Sequence, residues 1–340
     1  MTARRLASLT ESWFRKNQRR LPWRDGYEPY RVWVSEVMLQ QTRMEVVLGY
    51  YERFLERFPT VGDLARASAD DVTAAWSGLG YYRRARMLRE GAIDVMTRFG
   101  GALPKSVDEL MSIAGIGRYT AGAIASIAHN RRAPIVDGNV ARIVARLFAI
   151  EAPLSSPALM RAAWTHAEGL VASSKSPREF NQGLMDLGAL VCTPRKPNCG
   201  VCPLRRDCAA FAAGRVDELP RPKAKQGTFQ LRIPLYLVTD RDGRVLMRRE
   251  SGQLMRDMFH LPHGDTTLLT GAPLRIGAAE ALGTFRHTVT NRRIIFEVFA
   301  VARRPRARGR EYAWIDPASL AGIPHPSYVR KALQLAGIGK

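Results

Sequence analysis

The chain has 340 residues, enough for about two domains. Hydrophobic residues at 46% and charged residues at 24% exclude a disordered or collagen-like chain. The formal net charge is +21, of which residues 1–230 carry +12 and residues 231–340 carry +9. No single tail holds the excess, so both halves point to a polyanionic partner, nucleic acid before membrane. No apolar run of about 18 residues is present to span a bilayer. The stretch from Met1 to Arg20 is charged throughout and lacks the apolar core of a secretory signal. A reducing cytoplasm is the expectation, and four cysteines there need an explanation other than disulfides.

Residues 1–213 read as helical. Apolar residues recur at helical spacing in 30–39 (Tyr30, Val34, Val37, Met38), in 44–58 and in 140–150. Pro22, Pro59 and Pro104 stand where helices begin, and Gly-Gly and X-Pro pairs cut the pattern into short pieces. On the first of these helices Glu36 is flanked by Trp33, Val34, Val37 and Met38. A carboxyl in such surroundings has its charged form disfavoured and can hold a proton near neutral pH, which is what a general acid needs. Taken alone, it reads more simply as a surface glutamate on an amphipathic helix. Further on, Gly78-Leu79-Gly80-Tyr81-Tyr82 is a glycine-punctuated aromatic loop. Gly115-Ile116-Gly117 then separates two helical segments. Its glycines allow a tight turn, and the next helix offers free N–H groups that suit a phosphate. The same pattern also serves as a plain turn between packed helices. Asp137, in Val136-Asp137-Gly138-Asn139-Val140, opens another helix and on its own reads as a cap.

All four cysteines fall together as C-x6-C-x2-C-x5-C: Cys192, Cys199, Cys202 and Cys208. Four thiolates this close enclose a metal centre. Structural zinc sites more often pair two separated knuckles, and one compact run is closer to an iron–sulfur ligand set, though spacing alone leaves zinc open. Residues 214–230, with two prolines, two glycines and several basic residues, read as a linker. Beyond it the period changes. Residues 231–240 and 244–250 flank Arg241-Asp242-Gly243 and predict a β-hairpin, 292–303 predicts a strand, and 327–336 a closing helix. The second domain, 231–340, is therefore expected to be α+β.

The cysteine run at the end of a helical domain resembles the 4Fe–4S loop of the endonuclease III superfamily of DNA glycosylases, and residues 107–130 resemble its helix–hairpin–helix. Val32-Trp33-Val34-Ser35-Glu36-Val37-Met38-Leu39-Gln40-Gln41-Thr42 resembles the catalytic segment of the adenine-specific, MutY branch of that superfamily. The resemblance covers residues 10–225 strongly and 231–340 weakly. It implies an all-α helix–hairpin–helix glycosylase domain with a 4Fe–4S loop at 192–208, followed by an α+β, Nudix-like recognition domain. It implies one 4Fe–4S cluster on the four cysteines and double-stranded DNA as partner, with Gly115, Gly117, Arg195 and Lys196 meeting the backbone. Glu36 would protonate adenine, and Asp137 would face the sugar, with Tyr119 and Asn139 as partners. Leu21, Trp23, Arg24, Gln41, Thr42 and Gln182 would line the base pocket, and Leu79 and Tyr81 would insert beside the lesion. Strand-cleaving members carry a Schiff-base lysine where this chain has Tyr119, and a phenol forms no imine. A monofunctional glycosylase acting on adenine opposite 8-oxoguanine or guanine, monomeric and nucleoid-associated, is the expectation. The alternatives are an endonuclease III-type lyase and an inactive iron–sulfur DNA-binding protein. Residues 274–284 hold one glutamate and no Glu-rich magnesium helix, which argues against pyrophosphatase activity. In many relatives Phe-Ser-His follows Arg-His-Thr and reads 8-oxoguanine. Here Arg286-His287-Thr288 is followed by Val289-Thr290-Asn291, so Thr290 keeps a hydroxyl but the aromatic ring is gone. His287 fits a packed strand residue equally well.

Overall fold

Caps and prolines divide the first part of the chain into short helices, as the punctuation predicts. Thr2 caps α1 (Ala3–Asn17), and Glu28 accepts from the N–H groups of Tyr30 and Arg31 ahead of α2 (Pro29–Leu39). After α3 (Met44–Arg57) and α4 (Val61–Arg66), Ser68 caps α5 (Ala69–Ala75), and α6 spans Arg83–Arg98. In the hairpin segment α7 (Val107–Met111) and α8 (Arg118–Ala123) flank a turn in which Gly115 has φ +78°, and one π-helical turn, Ile124–Ala128, continues α8. Asp137 caps α9 (Gly138–Leu147), Ser156 caps α10 (Pro157–Ala172), and α11 (Pro177–Leu190) and α12 (Ala209–Ala212) follow. This computed structural model describes residues 2–222, 227–251, 256–264, 276–289, 292–302 and 309–338. Among them no helix is long and apolar enough to cross a membrane.

The chain forms two units. The first comprises Met1–Ala65 and Glu90–Ala224. Its core brings Leu6, Val140, Val144, Ala163, Phe180, Leu184 and Leu187 together from α1, α9, α10 and α11. It is all helical, as expected. The second comprises Arg66–Arg89 and Lys225–Lys340. Residues 66–89 thus group with the second unit, although the sequence reading placed them in the first. Polar contacts account for this: Ser77 Oγ and Tyr82 Oη donate to the His325 carbonyl at 3.0 and 3.1 Å, and Arg249 pairs with Asp70 at 2.6 Å. The expected linker is also partly anchored. Leu219 is buried, Arg146 Nε donates to its carbonyl at 2.8 Å, and Leu154 N donates to Arg221 O, so residues 214–222 are seated on the first unit.

The second unit is α+β. One sheet has the order β1–β5–β4, with β1 (Phe229–Leu237) parallel to β5 (Arg292–Val301), and β4 (Ala279–Val289) antiparallel to it. The other has the order β3–β2–β6, with β2 (Val245–Arg249) between β3 (Phe259–His260) and β6 (Tyr312–Ile315). Alternate residues Ile233, Leu235, Phe296 and Val298 turn inward with Val329 and Leu333 of α13 (Ser327–Leu335). The strand at 292–301 and the closing helix match expectation. The predicted hairpin forms only at its tip, where Thr239 bridges Val245 and Leu246 N donates to Val238 O. Beyond the tip its arms part into different sheets. Both edges of β2 are occupied by β3 and β6, which leaves no ladder for β1.

Candidate active site

A pocket of about 790 Å³ lies in the first unit, where the end of α2, the hairpin, the start of α9 and the face of α11 converge. Glu36 stands on its α2 wall, only 4% exposed. Tyr119 Oη donates to Glu36 Oε2 at 2.8 Å. Burial pushes the Glu36 carboxyl up to about 7. The Tyr119 hydrogen bond and the Arg24 charge pull it down, and the Asp137 charge adds to the rise. Burial, with the two carboxylates nearby, drives the Tyr119 phenol well above its ordinary value, so it stays protonated and able to donate.

Asp137 is both a helix cap and a pocket residue. Oδ1 accepts from Val140 N at 2.7 Å, and Oδ2 accepts from Asn139 Nδ2 at 3.0 Å. Burial raises its pKa, while those hydrogen bonds and the Arg142 charge oppose the rise. Asn139 Oδ1 in turn accepts from Arg142 Nη2 at 2.8 Å. At Gly188 the α11 backbone passes so close that an added Cβ would stand 2.5 Å from the Asn139 Cβ.

Leu21, Trp23, Arg24, Gln41, Thr42, Gln182, Gly115 and Gly117 all line this pocket with Glu36, Tyr119, Asp137 and Asn139. Trp23 packs edge-on to Tyr51 at 5.3 Å, and Gln182 Nε2 donates to Tyr27 Oη at 3.3 Å. Sequence reasoning missed Arg19 and Asp186. Asp186 is fully buried on α11, pairs with Arg24 at 2.9 Å and also pairs with Arg19. More than 160 residues separate these partners, so no local motif marked them.

Leu79 and Tyr81 lie in the second unit. Tyr81 has φ +49°, is 46% exposed, and lies under the Arg84 guanidinium, 5.5 Å from its ring centroid. Tyr82 is a packed residue, tied to His325 by the bond described above. His287 is half-buried against Phe296 and Tyr328, so it is a packed strand residue. Thr290 lies outside the described residues.

The cysteine loop follows α11. Arg146 Nη1 donates to Cys192 Sγ at 3.3 Å and to Thr193 O at 2.7 Å, and Arg142 Nε donates to Cys192 O at 2.8 Å. Burial raises the thiols of Cys199, Cys202 and Cys208, Cys202 to about 11, and each also feels Cys192. Four half-buried thiols in mutual electrostatic range, with arginine beside them, fit a bound cationic cluster that ionises them. Arg195 and Lys196 are exposed between the first two cysteines, and Lys196 has φ +49°.

Residues 34–167 match the HhH-GPD superfamily of base excision DNA repair proteins, and residues 192–208 match the iron–sulfur binding domain of endonuclease III. An adenine DNA glycosylase of Buchnera aphidicola subsp. Acyrthosiphon pisum is 33% identical over 264 residues, 77% of this chain and 75% of that protein. The Mycobacterium tuberculosis adenine DNA glycosylase is 41% identical over 240 residues, covering 69% of this chain and 75% of that protein. The chain belongs to the adenine DNA glycosylase family. The Rattus norvegicus member is 45% identical over 221 residues, 62% of this chain, and the match spans 43% of the rat protein's length. Among solved structures, a thermostable thymine-DNA glycosylase superposes with a TM-score of 0.55 at 28% identity, covering 62% of this chain and 97% of that one. The cysteines are the ligand set of a 4Fe–4S cluster, held in the loop that also carries Arg195 and Lys196.

Proposed function

We propose that this chain is a monofunctional DNA glycosylase that hydrolyses the N-glycosyl bond of adenine mispaired with 8-oxoguanine or guanine. The observation that carries this reading is Glu36: a buried carboxyl poised near pH 7, with Tyr119 at 2.8 Å, in a family-matched pocket large enough for a base. Exposed basic groups, with Arg195 and Lys196 among them, and the hairpin amides at Gly115 and Gly117 grip phosphates of the duplex. Tyr81 and Leu79 fill the gap left as adenine leaves the stack, a displacement costing a few kcal/mol. Leu21, Trp23, Arg24, Gln41, Thr42 and Gln182 hold the base. Glu36 gives its proton to N7, and the C1′–N bond breaks with its electrons going to the base. Asp137, held by Val140 N and Asn139, stabilises the positive charge on the sugar. Water then attacks C1′ and returns a proton to the Glu36 carboxylate, which restores the acid.

Hydrolysis rather than strand cleavage is supported by the lining of the pocket. Among the described residues none that line it is a lysine, and Schiff-base chemistry needs a primary amine. The second unit serves lesion recognition as a Nudix-like domain without pyrophosphatase activity, and the enzyme works as a nucleoid-associated monomer. The first unit holds the catalytic machinery, and the segment 231–340 of the second unit serves the partner base.

Single-turnover excision on duplexes with adenine opposite 8-oxoguanine, adenine opposite guanine, guanine opposite 8-oxoguanine, and adenine opposite thymine tests this. Each reaction is split into alkali-treated and untreated lanes. The expected product is an alkali-dependent break on the adenine strand of the two adenine mispairs. Cleavage without alkali, or a borohydride-trapped adduct, establishes a lyase. Tight mispair binding with no abasic product establishes a binding protein.

A further inference from the structure

The second unit holds a donor cluster that the excision chemistry does not use. Glu250 follows β2, His260 ends β3, and His263 stands three residues on. All three are buried, and one ligand atom from each lies within 4.8 Å of the others. His260 Nδ1 sits 2.9 Å from Leu261 O. A carbonyl oxygen only accepts, so Nδ1 carries the ring proton and Nε2 presents the remaining ligand position. That Nε2 has no hydrogen-bond partner among the described residues and faces Glu250 Oε2 at 3.3 Å.

An imidazole lone pair and a carboxylate oxygen do not rest at this distance in a dry interior without positive charge between them. A proton shared by the two groups answers that pair but makes no use of the His263 ring, whose centroid lies 5.1 Å from that of His260. A divalent cation is served by all three groups. Two ligand atoms bound tetrahedrally to zinc at 2.0–2.1 Å stand roughly 3.3 Å apart. The His260–Glu250 separation is the same. Two imidazoles and one carboxylate form a zinc-class donor set with a fourth position left for water.

The site also stands at a junction. His260 pairs with Arg248 of β2 in one sheet. Two residues later Tyr236 N of β1 donates to Pro262 O at 2.8 Å, and Leu235 bridges His263 in the other sheet. We propose that Glu250, His260 and His263 bind one divalent cation of the zinc class, which fastens the two sheets of the second unit at this crossing.

The test uses full-length protein with its iron–sulfur complement intact, dialysed against micromolar zinc and assayed for both metals. The expected result is one zinc per chain beyond the full iron content, which accounts for the cysteines. The double variant His260→Ala, His263→Ala should keep its iron and lose the zinc, and Glu250→Gln should weaken retention at least ~10-fold. Because those variants remove buried groups, unaltered protein is also melted with zinc, with magnesium and after chelation. Zinc alone should raise the transition. Substoichiometric zinc in unaltered protein with an unmoved melt, or full zinc retention by the double variant, overturns the proposal.

Discussion

Tyr119→Phe isolates how the pocket sets the proton affinity of Glu36. At its ordinary value of 4.5 a glutamate is protonated about once in 300 molecules at pH 7; with the value raised to about 7, half carry the proton. The pocket therefore multiplies the acid form roughly 150-fold. Burial is the largest cause of the rise, and the Tyr119 hydrogen bond is the largest opposing one. A hydrogen bond to a charged group is worth about 1.5–3 kcal/mol, and one pH unit corresponds to 1.36 kcal/mol. Removing the phenolic hydroxyl should therefore move the alkaline midpoint of excision upward by about one to two pH units. Single-turnover rates on adenine opposite 8-oxoguanine, measured at constant ionic strength from pH 5.5 to 9.5, read this directly. The wild-type rate should fall through about pH 7 as Glu36 loses its proton. The plateau of the variant is free to drop, because Tyr119 also shapes the pocket; the midpoint is the readout. A midpoint that stays in place or moves downward refutes both the hydrogen bond's role and Glu36 as the titrating acid.

Asp137→Asn should move the same midpoint the other way, because the Asp137 charge helps to raise Glu36, and the remaining rate is followed on the same duplex. Glu36→Gln should stabilise the protein at alkaline pH. Its folded value lies above its unfolded one, so the native state binds the proton more tightly, and stability is lost as pH climbs from about 4.5 to about 7. Urea unfolding should show the variant more stable by up to roughly 3 kcal/mol at pH 8.5, with the gap closing toward pH 5. Asp186→Asn leaves Arg24 and Arg19 facing a neutral amide at a fully buried position, and should cost about 3 kcal/mol in the same assay. Gly188→Ala pushes on Asn139, so excision should fall ~10- to 100-fold while duplex affinity changes little, as separated by single-turnover rates and equilibrium binding.

The residues legible from sequence were those whose chemistry is carried by near neighbours in the chain. The C-x6-C-x2-C-x5-C run, Glu36 among apolar helix positions, and the Gly-x-Gly turn before Tyr119 each sit within one short stretch of chain. Asp137 is ambiguous in sequence for a physical reason: the same carboxylate caps α9 and lines the pocket, so being a cap does not exclude a place in the site. What sequence could not show depends on pairing across distance. The Arg19–Asp186–Arg24 group joins α11 to the chain ahead of α2 with no local signature. The parallel pairing of β1 with β5 spans some sixty residues, and a tight turn signal at 241–243 favours a hairpin that the occupied edges of β2 do not allow. Residues 66–89 carry an ordinary helical pattern, and nothing in that pattern says that Ser77, Tyr82 and Asp70 meet partners beyond residue 240.

The two carboxyls of the pocket differ in what holds them, and the proposed roles follow that difference. Both are raised by burial. Glu36 receives a hydrogen bond from a phenol, and the Arg24 charge opposes the rise. Asp137 receives the Val140 amide and the Asn139 side chain, and Arg142 adds its charge. It also sits at a helix N-terminus, where the peptide dipoles favour an anion. Burial is thus opposed at more points around Asp137 than around Glu36, whose carboxyl is pushed up to about 7. Separating two acids in this way lets one donate a proton while the other stabilises a cation. Arg142 ties that assignment to the cysteine loop, because one guanidinium holds Asn139 Oδ1, the Gly188 carbonyl and the Cys192 carbonyl together. Whatever orders the loop at Cys192 thus also fixes the residue that orients Asp137. Loss of that order should appear as a slower chemical step before it appears as weaker folding of α9, whose apolar face is already buried against α10 and α11.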